Sequence, residues 1–387
     1  MITRNIVMAK RKKARSKRSL GIAIVGGGAG GHVYPGIAVA RELKRQTSSA
    51  RVIFIGTKDG PEAEIVPYEG FAFESFEFQG RKSRHTRTTL ENLTYMPRAV
   101  YRAIQLLKKI KPSILFGTGG EVAIPVIYAA YLLRIPILIL EPNMEPGLAN
   151  RLLSHSVDKI AVYFEESLQV LPKKKTILTG GSPIRREFFL IGETPPPDKG
   201  KKLNLLVISG SLGARNINYT MIAALDYLKE YRDRLVFTHQ SGNADFEYVK
   251  AGYERRDFRA DVYQYIRDIP KMYAKAHLVI SRSGSSTVAE LKASGRPAIL
   301  IPYPYGDKHQ ESNALELNDS GMARIIAHEQ FSGRTLSHEI LRILEHPEEF
   351  AQVWPNNRQF QGRDATEQLV HACLQLTTGK NSYEMEL

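Results

Sequence analysis

The feature that most restricts the fold is an internal echo. The segment SILFGTGGEVAIPVIYAAYLLRIPILILEPN, residues 113–143, is answered by HLVISRSGSSTVAELKASGRPAILIPYPY, residues 277–305. Each copy reads as a short apolar strand, a glycine-bearing turn, a helix, an arginine before a proline, and a second strand ending in a proline-containing loop. Strand-then-helix units surround both copies: IAIV, RVIFIG, SILFG, ILIL and KIAVYF come before about residue 182, and LNLLVISGSLGARNINYTMIAALDYLK restarts the pattern at residue 203. Such alternation implies parallel sheets. A chain of 387 residues exceeds one ordinary core, so the expected fold is α/β, with two doubly wound Rossmann-like domains facing each other across a cleft. The polar stretch GETPPPDKGKK, residues 192–202, supplies the linker. The expected organisation is a basic, disordered extension at 1–19, a first domain at 20–191, a second at 203–355, and a helical segment at 356–387 that packs back on the first.

In open parallel sheets, ligands sit beyond the carboxyl ends of the strands, so the glycine turns should converge in the cleft. The first turn lies in IAIVGGGAGGHVYPGIAVARELK, residues 22–44. It joins a buried strand to a helix that Pro35 is suited to open, and its N–H groups with the helix dipole favour a phosphate. GGGAGG formally satisfies a dinucleotide fingerprint, but the following strand ends in Gly56 and Thr57 rather than an acid for a ribose, and no Lys-Ser/Thr pair completes a P-loop. Dehydrogenase and nucleotide triphosphatase readings are therefore disfavoured. His32 lies near the helix start, where the dipole disfavours imidazolium; it is either a neutral general base or a loop histidine that only bonds the turn.

The second domain carries SRSGSSTVAEL, residues 281–291, whose small residues leave the N–H groups of Ser285, Ser286 and Thr287 open to a diphosphate. Glu290, one turn on, is placed to accept both hydroxyls of a ribose. Thr287 and Glu290 also have the spacing of a capping box, which would consume the carboxylate locally, and the sequence leaves both readings open. The loop PYPYGDKHQESNA, residues 302–314, brings Asp307, His309, Gln310 and Asn313 toward a sugar or ribose. No Asp-x-Asp pair or histidine cluster has metal-ligand spacing, so neither a metal nor another cofactor is implied.

Charge is concentrated. Residues 1–20 hold eight Lys or Arg and no acid, and residues 79–111 hold nine with only Glu91, so each segment carries +8 and the rest of the chain −2 of the net charge of +14. A nucleic-acid binder would be more uniformly basic; an anionic membrane surface or a phosphorylated ligand fits better. The single cysteine, Cys373, excludes an intrachain disulfide. The basic start lacks an apolar secretory core. Residues 122–140 are long and apolar, yet Pro125, Arg134 and Pro136 divide them into a buried helix and strand. In PRAVYRAIQLLKKIK, residues 97–111, Val100, Ile104 and Leu107 form one face, expected to dock on the sheet, and Arg102, Lys108 and Lys109 another.

Taken in order, GGGAGGHVYPGIAVA, GTGGEVAIP, EPNMEPGLANRLL, GSPIR, GSLGARNIN, HQSG, SRSGSSTVAEL and DKHQESNA resemble the motif series of the MurG family. These bacterial transferases move N-acetylglucosamine from UDP-GlcNAc to an undecaprenyl-diphosphate-linked muramoyl-pentapeptide in peptidoglycan synthesis. The resemblance runs from about residue 20 into the C-terminal region and implies the two-domain GT-B architecture and an inverting, metal-free transfer. It implies that backbone around Ile266 meets uracil, that Ser285, Ser286, Thr287, Val288 and Ala289 wrap the diphosphate, that Glu290 takes the ribose, and that Gln310 takes the sugar hydroxyls. Ser211, Arg185 and Asn143 would complete that site. Ala29, Gly30 and Gly31 would face the acceptor diphosphate and the transferred sugar, with His32 as base.

The implied partners are UDP-GlcNAc, the lipid-linked muramoyl-peptide, an anionic membrane surface and other cell-wall synthesis proteins, with no nucleic acid. The implied location is the cytoplasmic face of the bacterial inner membrane, peripherally bound, in the service of cell shape and division. Departures from the family pattern occur at Ala29, Pro142, Leu212 and the run from Glu121 to Ile124, and the loop GRKSRHTRTT is basic where the family's membrane-facing patch is partly apolar. A related glycolipid transferase, a UDP-sugar epimerase and a non-catalytic UDP-sugar sensor are the rival readings.

Overall fold

The computed structural model describes residues 20–77, 89–191, 201–210, 213–304, 309–348 and 362–378. The extension at 1–19, most of the basic loop, most of the linker, Ser211, Leu212 and Asp307 therefore lie outside the described residues.

The first sheet has seven parallel strands: β1 (Gly21–Gly26), β2 (Arg51–Gly56), β3 (Ala72–Ser75), β4 (Ile114–Gly119), β5 (Ile137–Glu141), β6 (Lys159–Val162) and β7 (Thr176–Leu178), in the order β3-β2-β1-β4-β5-β6-β7. Its helices are α1 (Gly30–Gln46), α2 (Glu62–Tyr68), α3 (Thr89–Ile110), α4 (Ala123–Leu132) and α5 (Leu148–Leu153). The second sheet has β8 (Leu203–Ile208), β9 (Leu235–Gln240), β10 (Arg259–Tyr263), β11 (Leu278–Ser281), β12 (Ala298–Leu300) and β13 (Ala323–Ile325), in the order β10-β9-β8-β11-β12-β13 and again parallel. Its helices are α6 (Arg215–Ala224), α7 (Phe246–Glu254), α8 (Ile269–Lys275), α9 (Ser285–Ser294), α10 (His309–Asp319) and α11 (Gly333–Glu345). The final helix is α12 (Gly362–Thr378).

Central strands are apolar on both faces because helices cover both sides of each sheet: every residue of β1 and β5 is buried. In the first sheet, strand order reverses between β1 and β4, in the second between β8 and β11, so each sheet has a switch point where chains leave in opposite directions. Edge strands β3 and β7 give no sequence signal. Both are short and only partly covered, so neither needs an apolar run.

Residues 122–140 form α4 and β5, with Pro136 between them. No helix among the described residues is long and apolar enough to cross a membrane. In α3, Ala99, Ala103, Leu107 and Ile110 are buried against the sheet, Val100 and Ile104 are packed beside them, and Arg102, Lys108 and Lys109 face outward. The apolar stripe is therefore a docking face for the protein's own core.

Helix α12 returns to the first sheet. Leu369, Val370, Ala372 and Cys373 share an apolar cluster with Ile22, Ile37 and Leu43, although the second sheet intervenes in sequence. Burial raises the Cys373 thiol to about 12, which leaves it unreactive. Leu369→Ala should lower unfolding stability by about 2–5 kcal/mol through lost burial and a residual cavity, measured by denaturant unfolding. A loss below about 0.5 kcal/mol would mean that α12 is not part of that core.

Candidate active site

Helix α1 begins at Gly30, five residues before the proline expected to open it, so His32 occupies its first turn and Pro35 lies inside the helix. This placement has two consequences. Proline has no N–H to give to the carbonyl four residues earlier, that of Gly31. The freed carbonyl instead accepts the Ser286 hydroxyl of the second domain at 3.3 Å. The N-termini of α1 and α9, which follow the switch-point strands β1 and β11, thus meet across the cleft.

The His32 ring packs against the turn after β4. Its Nδ1 lies 3.2 Å from the Thr118 carbonyl oxygen. A carbonyl only accepts, so Nδ1 carries the proton and Nε2 retains its lone pair. A Cβ on Gly119 would lie 2.6 Å from Nδ1, and one on Gly120 would run into the Gly27 carbonyl, so these positions must be glycine for the turns to nest. Burial holds the imidazole pKa below its ordinary value, opposed by the Thr118 carbonyl and by the Glu62 carboxylate. The bond to Thr118 is the turn contact that the sequence reading named, and it leaves Nε2 outside that bond.

Beside His32, a cavity of about 130 Å³ is lined by Gly119, Glu141, Pro142 and Asn143. Glu141 is 1% exposed and gathers four donors: the Asn143 N–H (3.0 Å) and amide (3.0 Å), the Gly147 N–H (2.9 Å) and the Asn150 amide (2.8 Å). Burial pushes its pKa up against those bonds. Asn143 is therefore braced on Glu141, which sequence reading left without a role.

Across the cleft, Gly284 is the N-cap of α9 and Thr287 is the third helical residue. A capping box requires Thr287 at the cap, so the structure closes that reading and leaves Glu290 uncommitted to the local backbone. The first-turn N–H groups of Ser285, Ser286 and Thr287 precede the first intrahelical bond, made by Val288 to Gly284 at 3.0 Å. Val288 and Ala289 are buried in the domain core. Glu290 instead faces Arg185, with 3.8 Å between Oε1 and Nη2. Desolvation raises the Glu290 pKa to about 7 despite that cation.

Arg185 is 5% exposed and stacks on Tyr34 at 4.2 Å and on Phe188 at 5.3 Å. Its Nε and Nη2 have no hydrogen-bond partner among the described residues. Buried donors left unpaired cost roughly 1–3 kcal/mol each, so this guanidinium is prepared for an anion. Tyr34 also meets the Tyr265 hydroxyl across the cleft. On that side an interdomain cavity of about 550 Å³ opens between Tyr34, Glu64, Tyr68, Phe246, Tyr265 and Arg267. The adjoining Ile266 N–H donates to Gln240 Oε1 at 2.8 Å, so of the Ile266 backbone groups only the carbonyl is left to a ligand. Gln310 Oε1 accepts the Tyr303 N–H at 2.9 Å, leaving its amide nitrogen without a partner among the described residues. Ala29 is the N-cap of α1, with Gly30 and Gly31 the first helical residues. No three His, Cys, Asp or Glu side chains among the described residues group as metal ligands.

Sequence reasoning missed Glu62, Glu141, Tyr34, Tyr265 and Gln240. The two carboxylates gave the only available signal, an acid at the end of a strand or the start of a helix, which ordinarily reads as a solvated charge.

The raised Glu290 pKa has a stability consequence. Between the unfolded value near 4.5 and about 7, the native state binds the extra proton, so this group's contribution falls as pH rises through that window. Glu290→Gln removes the dependence and should gain stability relative to the parent between pH 5 and pH 8 in thermal unfolding. An unchanged difference would refute the shift.

Residues 22–162 match the glycosyltransferase family 28 N-terminal domain, and residues 204–369 match the corresponding C-terminal domain. A UDP-N-acetylglucosamine–N-acetylmuramyl-(pentapeptide) pyrophosphoryl-undecaprenol N-acetylglucosamine transferase from Thermodesulfovibrio yellowstonii is 39% identical over 84% of this chain and 90% of its own. The Myxococcus xanthus protein of the same name is 36% identical over 94% of this chain and 95% of its own. The crystal structure of Acinetobacter baumannii MurG superposes with a TM-score of 0.68 and 27% identity, covering 92% of this chain and 99% of that one. The chain belongs to the MurG family of N-acetylglucosaminyltransferases, in glycosyltransferase family 28.

Proposed function

We propose that the chain transfers GlcNAc from UDP-GlcNAc to the 4-hydroxyl of a muramoyl-pentapeptide carried on undecaprenyl diphosphate, with inversion at the anomeric carbon. The observation that carries this reading is the meeting of two helix N-termini across the cleft, with a neutral histidine on one side and a buried, underbonded Arg185 with Glu290 on the other. The names of the relatives supply the substrate classes.

In the proposed reaction, Nε2 of His32 takes the proton of the attacking hydroxyl. The new C–O bond forms as the bond from the anomeric carbon to UDP breaks, and the electron pair leaves on the diphosphate. The N–H groups of Ser285, Ser286 and Thr287 and the Arg185 guanidinium offset the charge gathering on UDP, a role open to fixed dipoles and a cation as well as to a metal. Val288 and Ala289 set that turn against the core. Glu290 accepts the ribose hydroxyls, and binding favours its ionised form. The Ile266 carbonyl meets the uracil, Gln310 meets the sugar, and Asn143 and Ser211 complete the donor site. Ala29, Gly30 and Gly31 present the α1 N-terminus to the acceptor diphosphate and the transferred sugar. The enzyme works peripherally on the cytoplasmic face of the inner membrane, drawn to anionic lipid by the outward lysines and arginines of α3 and by the basic loop before it.

The test is transfer from radiolabelled UDP-GlcNAc to a short-chain lipid-linked muramoyl-peptide, with and without EDTA. Transfer should survive chelation, fall about 10²- to 10⁴-fold in His32→Ala, and show donor binding weakened about 10- to 100-fold in Glu290→Ala. Conversion of UDP-GlcNAc without acceptor would favour an epimerase instead. Donor binding without any turnover would favour a sensor.

A further inference from the structure

Helix α2 opens with a charged side chain in a place that packing would give to an apolar one. Glu62 is 1% exposed, and among the described residues it forms no ion pair. Its Oε1 accepts the Thr57 N–H at 2.8 Å and the Thr57 hydroxyl at 2.7 Å, and its Oε2 accepts the Gly28 N–H at 3.1 Å. A Cβ on Gly27, Gly56 or Gly60 would run into the Glu62 side chain, so three segments of backbone leave room for one carboxylate. Burying a carboxylate is costly, and three donors from two turns offset that cost here.

The position of this group relates it to the cleft. Gly28, at φ +85°, lies two residues before α1, and His32 is in the first turn of that helix. Tying Gly28 to the end of β2 therefore sets where α1 starts and where the imidazole lies. The carboxylate also acts on the imidazole through space, favouring its protonated form. The other groups around His32 are distinct: Glu141 at the end of β5 lines the same cavity, β4 presents the neutral Thr118 carbonyl, Tyr34 follows on α1, and the second domain brings the neutral Ser286 hydroxyl to Gly31.

We propose that Glu62 is a positioning residue of the transfer reaction, clamping the β1 turn so that α1 presents His32 at a fixed place and holding a negative charge behind the imidazole. The link to catalysis rests on His32 acting as the base; the clamp and the charge do not. Glutamine cannot replace it, because a side-chain amide offers one acceptor oxygen and would set its NH₂ against the N–H of Gly28 or Thr57.

The test combines an NMR titration of the His32 ring with steady-state kinetics in Glu62→Gln, Glu62→Asp and Thr57→Val. Glu62→Gln should titrate at lower pH than the parent and lose kcat roughly 10- to 100-fold, while the Kd for UDP-GlcNAc stays within about twofold because the diphosphate and ribose contacts proposed at Ser285 to Glu290 lie in the other domain. Glu62→Asp keeps the charge with a shorter reach, so its titration should stay near the parent's and its kcat should be intermediate. Thr57→Val should leave the titration unmoved. An unchanged His32 titration in Glu62→Gln, or a fall in kcat matched by an equal loss of donor affinity, overturns the proposal. Should Glu62→Gln fail to bind donor at all, parental kcat in Glu62→Asp overturns it and an intermediate kcat with a parental titration supports it. Full transfer by His32→Ala would sink the base assignment, and the titration would still report on Glu62.

Discussion

Two strand-to-helix turns leave neighbouring strands at the middle of the first sheet, and they nest so closely that neither tolerates a side chain where they touch. Gly120 lies over the Gly27 carbonyl, and Gly119 lies against the His32 ring. The nesting forms because β1 and β4 are adjacent while their connections run in opposite directions, which leaves the ends of both strands uncovered at one point. From this contact follow the tautomer of His32, the line of α1 and the floor of the cleft. A methyl group at either glycine would separate the turns and move the imidazole with them.

The second domain meets this floor with its own switch-point helix. Pro35 matters here for what it lacks: without its N–H the Gly31 carbonyl is free to take a hydroxyl from Ser286. Further from the cleft centre, Lys292 and Glu316 of the second domain hold the Tyr163 hydroxyl of the first. The domains are joined by small polar contacts there, whereas α12 makes the apolar junction on the far side of the first sheet. Such polar contacts exchange readily for contacts to a ligand, because each is worth only about 1 kcal/mol net.

Electrostatics divides the cleft in two. On the first-domain side, buried carboxylates are occupied by N–H donors: Glu141 holds the loop that follows β5, and Glu62 holds the β1 turn. On the second-domain side, Glu290 and Arg185 face each other beyond hydrogen-bonding distance, and two guanidinium nitrogens have no hydrogen-bond partner among the described residues. The first set is structurally complete and the second is not. An anionic ligand with ribose hydroxyls would supply what the second lacks.

The sequence by itself determined the elements that depend on local chemistry. Apolar runs of strand length, glycines at strand ends and the echoed unit gave the parallel sheets, the paired domains and the strand-to-helix turns that meet across the cleft, because the central strands are buried on both faces and spell that burial out. It also gave the helix before β4 as a docking face. Only tertiary structure decided the rest. Edge strands β3 and β7 are half-covered and carry no pattern. Whether Glu290 capped its own helix depended on where α9 begins, and it begins after Gly284, which leaves Thr287 inside the helix. The arginines before the prolines of the echo look equivalent in sequence, yet Arg134 is exposed while Arg296 is buried and bonded to the Tyr273 carbonyl. Glu62 reads as an ordinary acid at a helix start, since its meaning comes from Gly28, 34 residues away along the chain. A residue's partners across a fold are fixed by how strands are ordered, and that order is not written in the local run of residues.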